Sequence, residues 1–340
     1  MKKITLLIIA LALAATQSYS NTRASILLLH NGQGTSFDAD QLQTAVNQAM
    51  AGDTIYLSEG TFLLNDTLHI DKIVTVMGIG ETTKIQGSIN IGIDDTPILS
   101  NILLNSLRVS GYVFVTKELH GLKFKKCWFD RHFYATATLT DLFIDRCYLM
   151  SFVPTSFIKS ALVTNSILYC VGDEAKEQSR QNPWSVGNAL TFFNCSIGYV
   201  KVVNSSLGTQ KIQDVTFVNS VICSYGSGNS SISNNTLINT LLSYSWMDSS
   251  DTMNNCYKHN SLSVVPATAN GWFPTFRMDG KDMTEETLKE NNILGNDGSV
   301  VGAEGGNTPY NLEADGLRIK ESLLKVDPVT QQLNVTLTVE

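Results

Sequence analysis

The chain has 340 residues, 43% of them hydrophobic and 16% charged, with a formal charge of −7 at neutral pH. That acidic balance repels phosphate backbones and anionic headgroups, which argues against nucleic acid and acidic membranes as partners. The length exceeds the usual single-domain size, a limit that solenoids escape because each coil touches only its neighbours.

Residues 1–20 carry Lys2-Lys3, an apolar run from Ile4 to Ala15 and a small-polar stretch ending Ser18-Tyr19-Ser20. This is the three-part layout of a secretory signal peptide, and its apolar run is short for a bilayer span. Cleavage is expected near Ser20. No cysteine stands there to take a lipid, so the mature chain is expected to be soluble and exported, whether to the periplasm, the cell surface or the medium. It then carries 22 basic against 31 acidic residues, a charge of −9.

Ala39, Leu42, Ala45, Val46 and Ala49 fall at helical spacing and form one apolar stripe, which Gly52 ends. Asp53 to Leu57 then alternates, Ser58-Glu59-Gly60 turns the chain, and Thr61 to Leu64 follows as another short strand. No Asn-Gly or Asp-Gly dipeptide separates these strands, so they are not paired hairpins. A helix followed by short strands and tight corners predicts a capped solenoid, with the helix covering the open first rung.

Gly52-Asp53-Thr54-Ile55, Gly60-Thr61-Phe62, Met77-Gly78-Ile79-Gly80 and Thr83-Lys84-Ile85-Gln86-Gly87 resemble the N-terminal segment of secreted bacterial β-helix proteins of the pectate-lyase-like superfamily, most of them uncharacterised. The resemblance implies an all-β fold, a right-handed single-stranded parallel β-helix with an N-terminal capping helix, over residues 21–294.

A repeat of apolar-x-x-[Cys/Ser/Thr]-x-apolar runs through the middle: F-K-K-C-W-F from 124, I-D-R-C-Y-L from 144, V-T-N-S-I-L, F-F-N-C-S-I, V-V-N-S-S-L, F-V-N-S-V-I and L-I-N-T-L-L. Several spacings are near one β-helix coil, about twenty residues, which predicts roughly ten coils between Ile55 and Val265. Asn165, Asn194, Asn204, Asn219 and Asn239 precede the small residue and suit a turn whose amides stack from coil to coil. The sequons at Asn194, Asn204 and Asn229 are secondary to that ladder. Cys127, Cys147 and Cys195 recur in equivalent contexts, so the six cysteines, which include Cys170, Cys223 and Cys256, are expected to be buried free thiols in an inward stack. No C-x-x-C pair or Cys/His cluster suggests a metal, and no cofactor is expected.

Insertions interrupt the repeat at Asp173–Gly187, Ser245–His259 and Pro266–Arg277, and Met283–Asn291, with Thr284 as a candidate N-cap, reads as a short helix or turn that closes the far end. Residues 295–340 begin with a glycine-rich run, Gly295-Asn-Asp-Gly298 to Gly305-Gly306-Asn-Thr-Pro309-Tyr310, similar to the segment that leaves the rod after the last coil in such proteins. Leu333–Val339 alternates as a terminal strand.

The superfamily includes lyases and hydrolases of acidic polysaccharides, so the enzyme question is open. A polygalacturonase-like site needs paired carboxylates, Gly-His-Gly and Arg-Ile-Lys. Asp94-Asp95 and Arg318-Ile319-Lys320 are present, but they are far apart and no Gly-His-Gly accompanies them. A lyase needs carboxylates for calcium beside a basic residue. Asp141, Asp145 and Arg146, with Asp130 and Arg131 one coil earlier, are the candidates, against the plainer reading of charges paired across rungs. Calcium enters only under that lyase reading. Histidines 30, 69, 120, 132 and 259 lack metal spacing and read as surface or turn residues. The favoured reading is a non-catalytic surface protein, adhesin-like, binding glycan or a host surface through Trp184, Trp246, Trp272 and Phe276 for ring stacking, with Arg180, Asp248, Asp251 and Arg277 for hydrogen bonds. The alternatives are a lyase or hydrolase, and a purely structural surface protein.

Overall fold

The computed structural model describes residues 24–92, 99–153, 158–172, 185–186, 189–201, 211–225, 232–243, 249–265, 274–313, 319–326 and 333–339. Short strands repeat from coil to coil and stack in register, forming two long ladders and smaller sheets of a parallel β-solenoid. Thr54–Leu57, Thr75–Met77, Leu103–Asn105, Lys123–Lys125, Leu142–Asp145, Ala161–Thr164, Leu190–Phe193, Val215–Val218, Thr236–Ile238 and Thr252–Asn254 follow one another in the first ladder, all parallel. In the first nine of these ten strands one residue points inward along a single line, Ile55, Val76, Leu104, Phe124, Ile144, Val163, Phe192, Phe217 and Leu237, each 0% exposed, while Met253 of the tenth is partly buried. Each fully buried one contributes about 1.5–3 kcal/mol of apolar burial. The alternation seen in the sequence therefore becomes a continuous core.

The second ladder runs from Gly60–Leu63 to Tyr257–His259 and includes Trp128–Ala135, Tyr148–Val153, Ile167–Gly172 and Ser196–Lys201. The corner between the two ladders is one residue in left-handed conformation, among them Asn165, Asn194, Asn219, Asn239 and Asn255, with φ of 46–52°. Asparagine tolerates this region better than most side chains. The residue after the corner turns inward, giving a stack that includes Cys127, Cys147, Ser166, Cys195, Ser220 and Thr240. The stack is hydrogen-bonded: the Cys127 amide donates to the Cys147 sulfur at 3.3 Å and the Cys147 amide to the Ser166 hydroxyl at 3.0 Å. All six cysteines are free. Cys170 and Cys223, however, leave the inward stack and lie in a second apolar cluster, and Cys256 is half-buried, not buried as expected.

That second cluster covers the outer face of the second ladder. Leu262–Val265, Thr275–Met278 and Lys281–Asp282 form an antiparallel sheet, followed by helix Glu285–Glu290, whose Thr287 amide donates to the Thr284 hydroxyl at 3.2 Å. Val264, Met278 and Leu288 bury Tyr169, Cys170, Val221 and Cys223. The helix expected to close the far end packs on the flank instead, because the apolar outer residues there require a cover.

At the N-terminal end, Ser25–His30 and Gln33–Asp38 form an antiparallel hairpin around Asn31-Gly32, both with positive φ. Ser25–His30 also pairs antiparallel with Thr54–Leu57 and so covers the first ladder's free edge. A 3-10 turn Ala39–Gln41 leads into helix Leu42–Gln48, which buries Leu42, Ala45 and Val46. The helix thus shares the capping role with a hairpin, for which Asn31-Gly32 was the available sequence signal.

The glycine-rich segment stays on the rod at its last coil and returns along the corner. Tyr257 Oη donates to the Leu294 carbonyl at 3.0 Å, Gly302 N to the Asn219 carbonyl at 2.8 Å, Ala303 N to Ser196 Oγ at 2.9 Å, Asn165 Nδ2 to the Gly305 carbonyl at 3.0 Å and Lys126 Nζ to the Glu313 carbonyl at 2.6 Å. A Cβ on Gly305 would lie 1.8 Å from the Val300 carbonyl oxygen, and one on Gly306 2.2 Å from Asn194 Nδ2. The close approach accounts for these two glycines. The corner asparagines are accordingly divided: Asn239 bonds Asn219 at 3.3 Å as a ladder, while Asn165 and Asn219 also hold the returning segment. Asn204 lies outside the described residues. Ile319–Val326 and Leu333–Val339 pair antiparallel.

Candidate functional site

The carboxylates nominated for catalysis are placed apart. Asp141 and Asp145 sit at the two ends of the strand Leu142–Asp145, with a backbone separation of at most about 13 Å at an extended rise per residue. Asp145 is buried, accepts from its neighbour Arg146 at 2.9 Å and from the Thr164 hydroxyl at 2.9 Å. Asp141 exchanges hydrogen bonds with Ser160, its amide donating to Oγ at 2.7 Å and its Oδ1 accepting from it at 3.0 Å. Asp130 belongs to the second ladder and accepts Arg108 Nε at 3.0 and 3.2 Å, while that guanidinium lies 4.8 Å over the Trp128 ring. The pair Arg108–Asp130 crosses a rung, Thr164 and Ser160 tie Asp145 and Asp141 to the next coil, and Asp145 and Arg146 pair as neighbours within one coil. Among the described residues no cluster of histidine, cysteine or carboxylate side chains suits a metal ion.

Of the residues nominated for ligand contact, Trp184, Arg180, Trp246, Asp248 and Trp272 lie outside the described residues, as do Asp94, Asp95 and Arg318. Asp251 accepts the Asn235 amide at 2.9 Å and so caps the preceding coil. Arg277 pairs with Asp282 across the flanking sheet at 2.9 Å. Phe276 lines an apolar pocket of about 270 Å³ with Met283, Leu288, Val301 and Tyr310, beside Glu304. Burial raises the Glu304 carboxyl, and nearby Glu285 adds to the shift. Burial also raises the thiols, Cys195 and Cys223 each to about 12, which leaves both without a nucleophilic thiolate near neutrality.

A second candidate surface lies beside the N-terminal helix. In the strands Leu68–Ile70, Ile89–Ile91, Val113–Val115 and Trp128–Ala135 the flanking apolar residues turn inward, and the middle ones turn out in register: His69 opposite Asn90, Asn90 opposite Phe114, Phe114 opposite Tyr134. Tyr112 stacks on Phe114 at 5.6 Å and on His132 at 5.7 Å with planes 9° apart, and Phe114 meets Tyr134 edge-on at 4.5 Å. An open groove of about 830 Å³ runs beside this row, lined by Gln43, Asn47, Asp66, Thr67, His69, Asp71, Asn90, Phe114 and Thr116. Its wall is held rigidly, since Gln43 accepts the His69 amide at 2.8 Å and donates to the His69 carbonyl at 3.1 Å, acting as a substitute strand. Sequence reasoning missed this site. The triplets L-H-I, I-N-I and V-F-V were visible, but their unequal separations hide the register that aligns their central residues. No family model and no curated protein matches the chain.

Proposed function

We propose that this chain is an exported, non-catalytic β-helix protein of the pectate-lyase-like superfamily that binds a glycan at a cell or host surface. The observation carrying the proposal is the outward row His69, Asn90 and Phe114, with Tyr112 and His132 alongside and the buried Tyr134 packed beneath, bordering a polar groove. Aromatic faces match the apolar C–H faces of sugar rings, and adjacent amides and carboxylates match their hydroxyls. The charged pairs Asp130–Arg108 and Asp145–Arg146 support the non-catalytic part, because each carboxylate already has a partner. The leader-like residues 1–20 support export. No described helix is long and apolar enough to cross a membrane.

Affinity electrophoresis of residues 21–340 through gels containing neutral, basic and acidic polysaccharides tests this reading. Retardation by at least one glycan, lost in Phe114→Ala, is expected, with no new reducing ends and no unsaturated-uronate absorbance with or without calcium. Product formation on any polysaccharide refutes the non-catalytic reading.

A further inference from the structure

We infer that the groove beside the N-terminal helix selects sugars that carry an amine and rejects those that carry a carboxylate; the inference rests on the glycan-binding reading above. The lining holds two carboxylates, Asp66 and Asp71, and His69 is its one group able to carry positive charge. Lys72 lies close by, its ammonium donating to the Asn47 carbonyl at the helix end, and its charge offsets one of the two carboxylates. Among the described residues Asp71 Oδ1 is buried without a hydrogen-bond partner, so this carboxylate acts on a bound sugar through its charge and not by direct contact of that oxygen. Asn90 adds orientation. Its Oδ1 accepts from the Thr116 hydroxyl at 2.7 Å, so the donors this lining residue has to offer a ring or hydroxyl oxygen are its amide N–H groups.

Phe114 supplies the platform. A pyranose ring stacked on it presents its substituents toward the acidic wall, where an ammonium gains attraction from both the carboxylates and the aromatic face. A uronate in the same position sets a third carboxylate against two, with no arginine in the lining to receive it. The chain's overall charge of −7 acts in the same direction at long range. The wall is preformed by the double Gln43–His69 bond, so little ordering opposes binding.

The test is calorimetric titration of residues 21–340 with four soluble oligosaccharides of equal length: glucosamine, N-acetylglucosamine, glucose (β-1,4-linked) and galacturonate oligomers. The glucosamine oligomer is expected to bind at least ~10-fold tighter than the galacturonate oligomer, with the two uncharged oligomers between them. Asp66→Asn, at an exposed position that leaves the core intact, is expected to reduce the preference for the glucosamine oligomer over the uncharged oligomers several-fold. Phe114→Ala is expected to weaken all binding. Tightest binding by the galacturonate oligomer, or a preference unaltered by both Asp66→Asn and Asp71→Asn, overturns the selection while the glycan-binding reading stands. Absence of binding to all four, repeated on the polysaccharide gels, overturns both.

Discussion

Gly305→Ala tests the returning glycine-rich segment with the least chemical change. A methyl group at this position would lie 1.8 Å from the Val300 carbonyl oxygen, a backbone atom that has no rotamer through which to move away. The segment must therefore open, and three hydrogen bonds go with it: Gly305 N to the Gly302 carbonyl at 3.0 Å, Tyr310 N to the Ala303 carbonyl at 2.7 Å, and Asn165 Nδ2 to the Gly305 carbonyl at 3.0 Å. At about 1 kcal/mol net for each bond, with an added penalty of about 1–3 kcal/mol for the stranded buried Asn165 amide, the loss is on the order of 4–6 kcal/mol. Partial exposure of Val300 and Val301, both buried, adds to it. A stacked-repeat protein need not unfold in one step, so the loss is read locally. Limited proteolysis is expected to cut Gly305→Ala between Leu294 and Glu313 well before wild type, and hydrogen exchange is expected to lose protection at Gly302 and Ala303, while far-UV circular dichroism keeps the β-signal of the rod. Gly298→Ala is the milder comparison: its Cβ meets nothing within 4 Å, so with φ of +78° it carries only the backbone strain of the left-handed region, about 1–2 kcal/mol. Wild-type protection of the segment in Gly305→Ala would refute the reasoning.

Phe217→Ala removes a 0%-exposed ring stacked on Phe192 at 5.2 Å and is expected to destabilise the protein by about 3–5 kcal/mol in urea unfolding, more than any outward substitution on the same coil. Iodoacetamide at pH 8 is expected to leave Cys147, Cys195 and Cys223 unmodified in the native protein and to label them after denaturation, which peptide mass mapping reads directly. The same thiols set a pH trend. Their folded values are raised above the ordinary value of 9.0, so the folded state holds protons that the unfolded chain releases, and stability is expected to fall as pH rises from about 9 towards 12. Arg108→Ala leaves the partly buried Asp130 without its guanidinium and is expected to lower stability by about 1–3 kcal/mol, whereas Arg108→Ala with Asp130→Ala recovers part of that loss.

How much of this protein was legible beforehand follows from the range of each interaction. The alternation around Ile55, the helical stripe through Leu42, Ala45 and Val46, and the small residue after each asparagine are local patterns. Inward and outward faces follow from the period of a strand whatever it pairs with. The solenoid, its corner residues and its buried free thiols were therefore determined by the sequence alone. Asn31-Gly32 carried a local hairpin signal as well, although the reading passed over it. What no local pattern expresses is which residues meet across coils of unequal length. The row of His69, Asn90, Phe114 and Tyr134, the placing of Cys170 and Cys223 under the flanking sheet, and the contact of Gly306 with Asn194 all depend on how far each intervening turn advances the register. The two carboxylates Asp141 and Asp145 illustrate the same point in reverse: four positions apart in sequence, they are held at opposite ends of an extended strand, and the backbone's rise per residue, which only the fold selects, separated them.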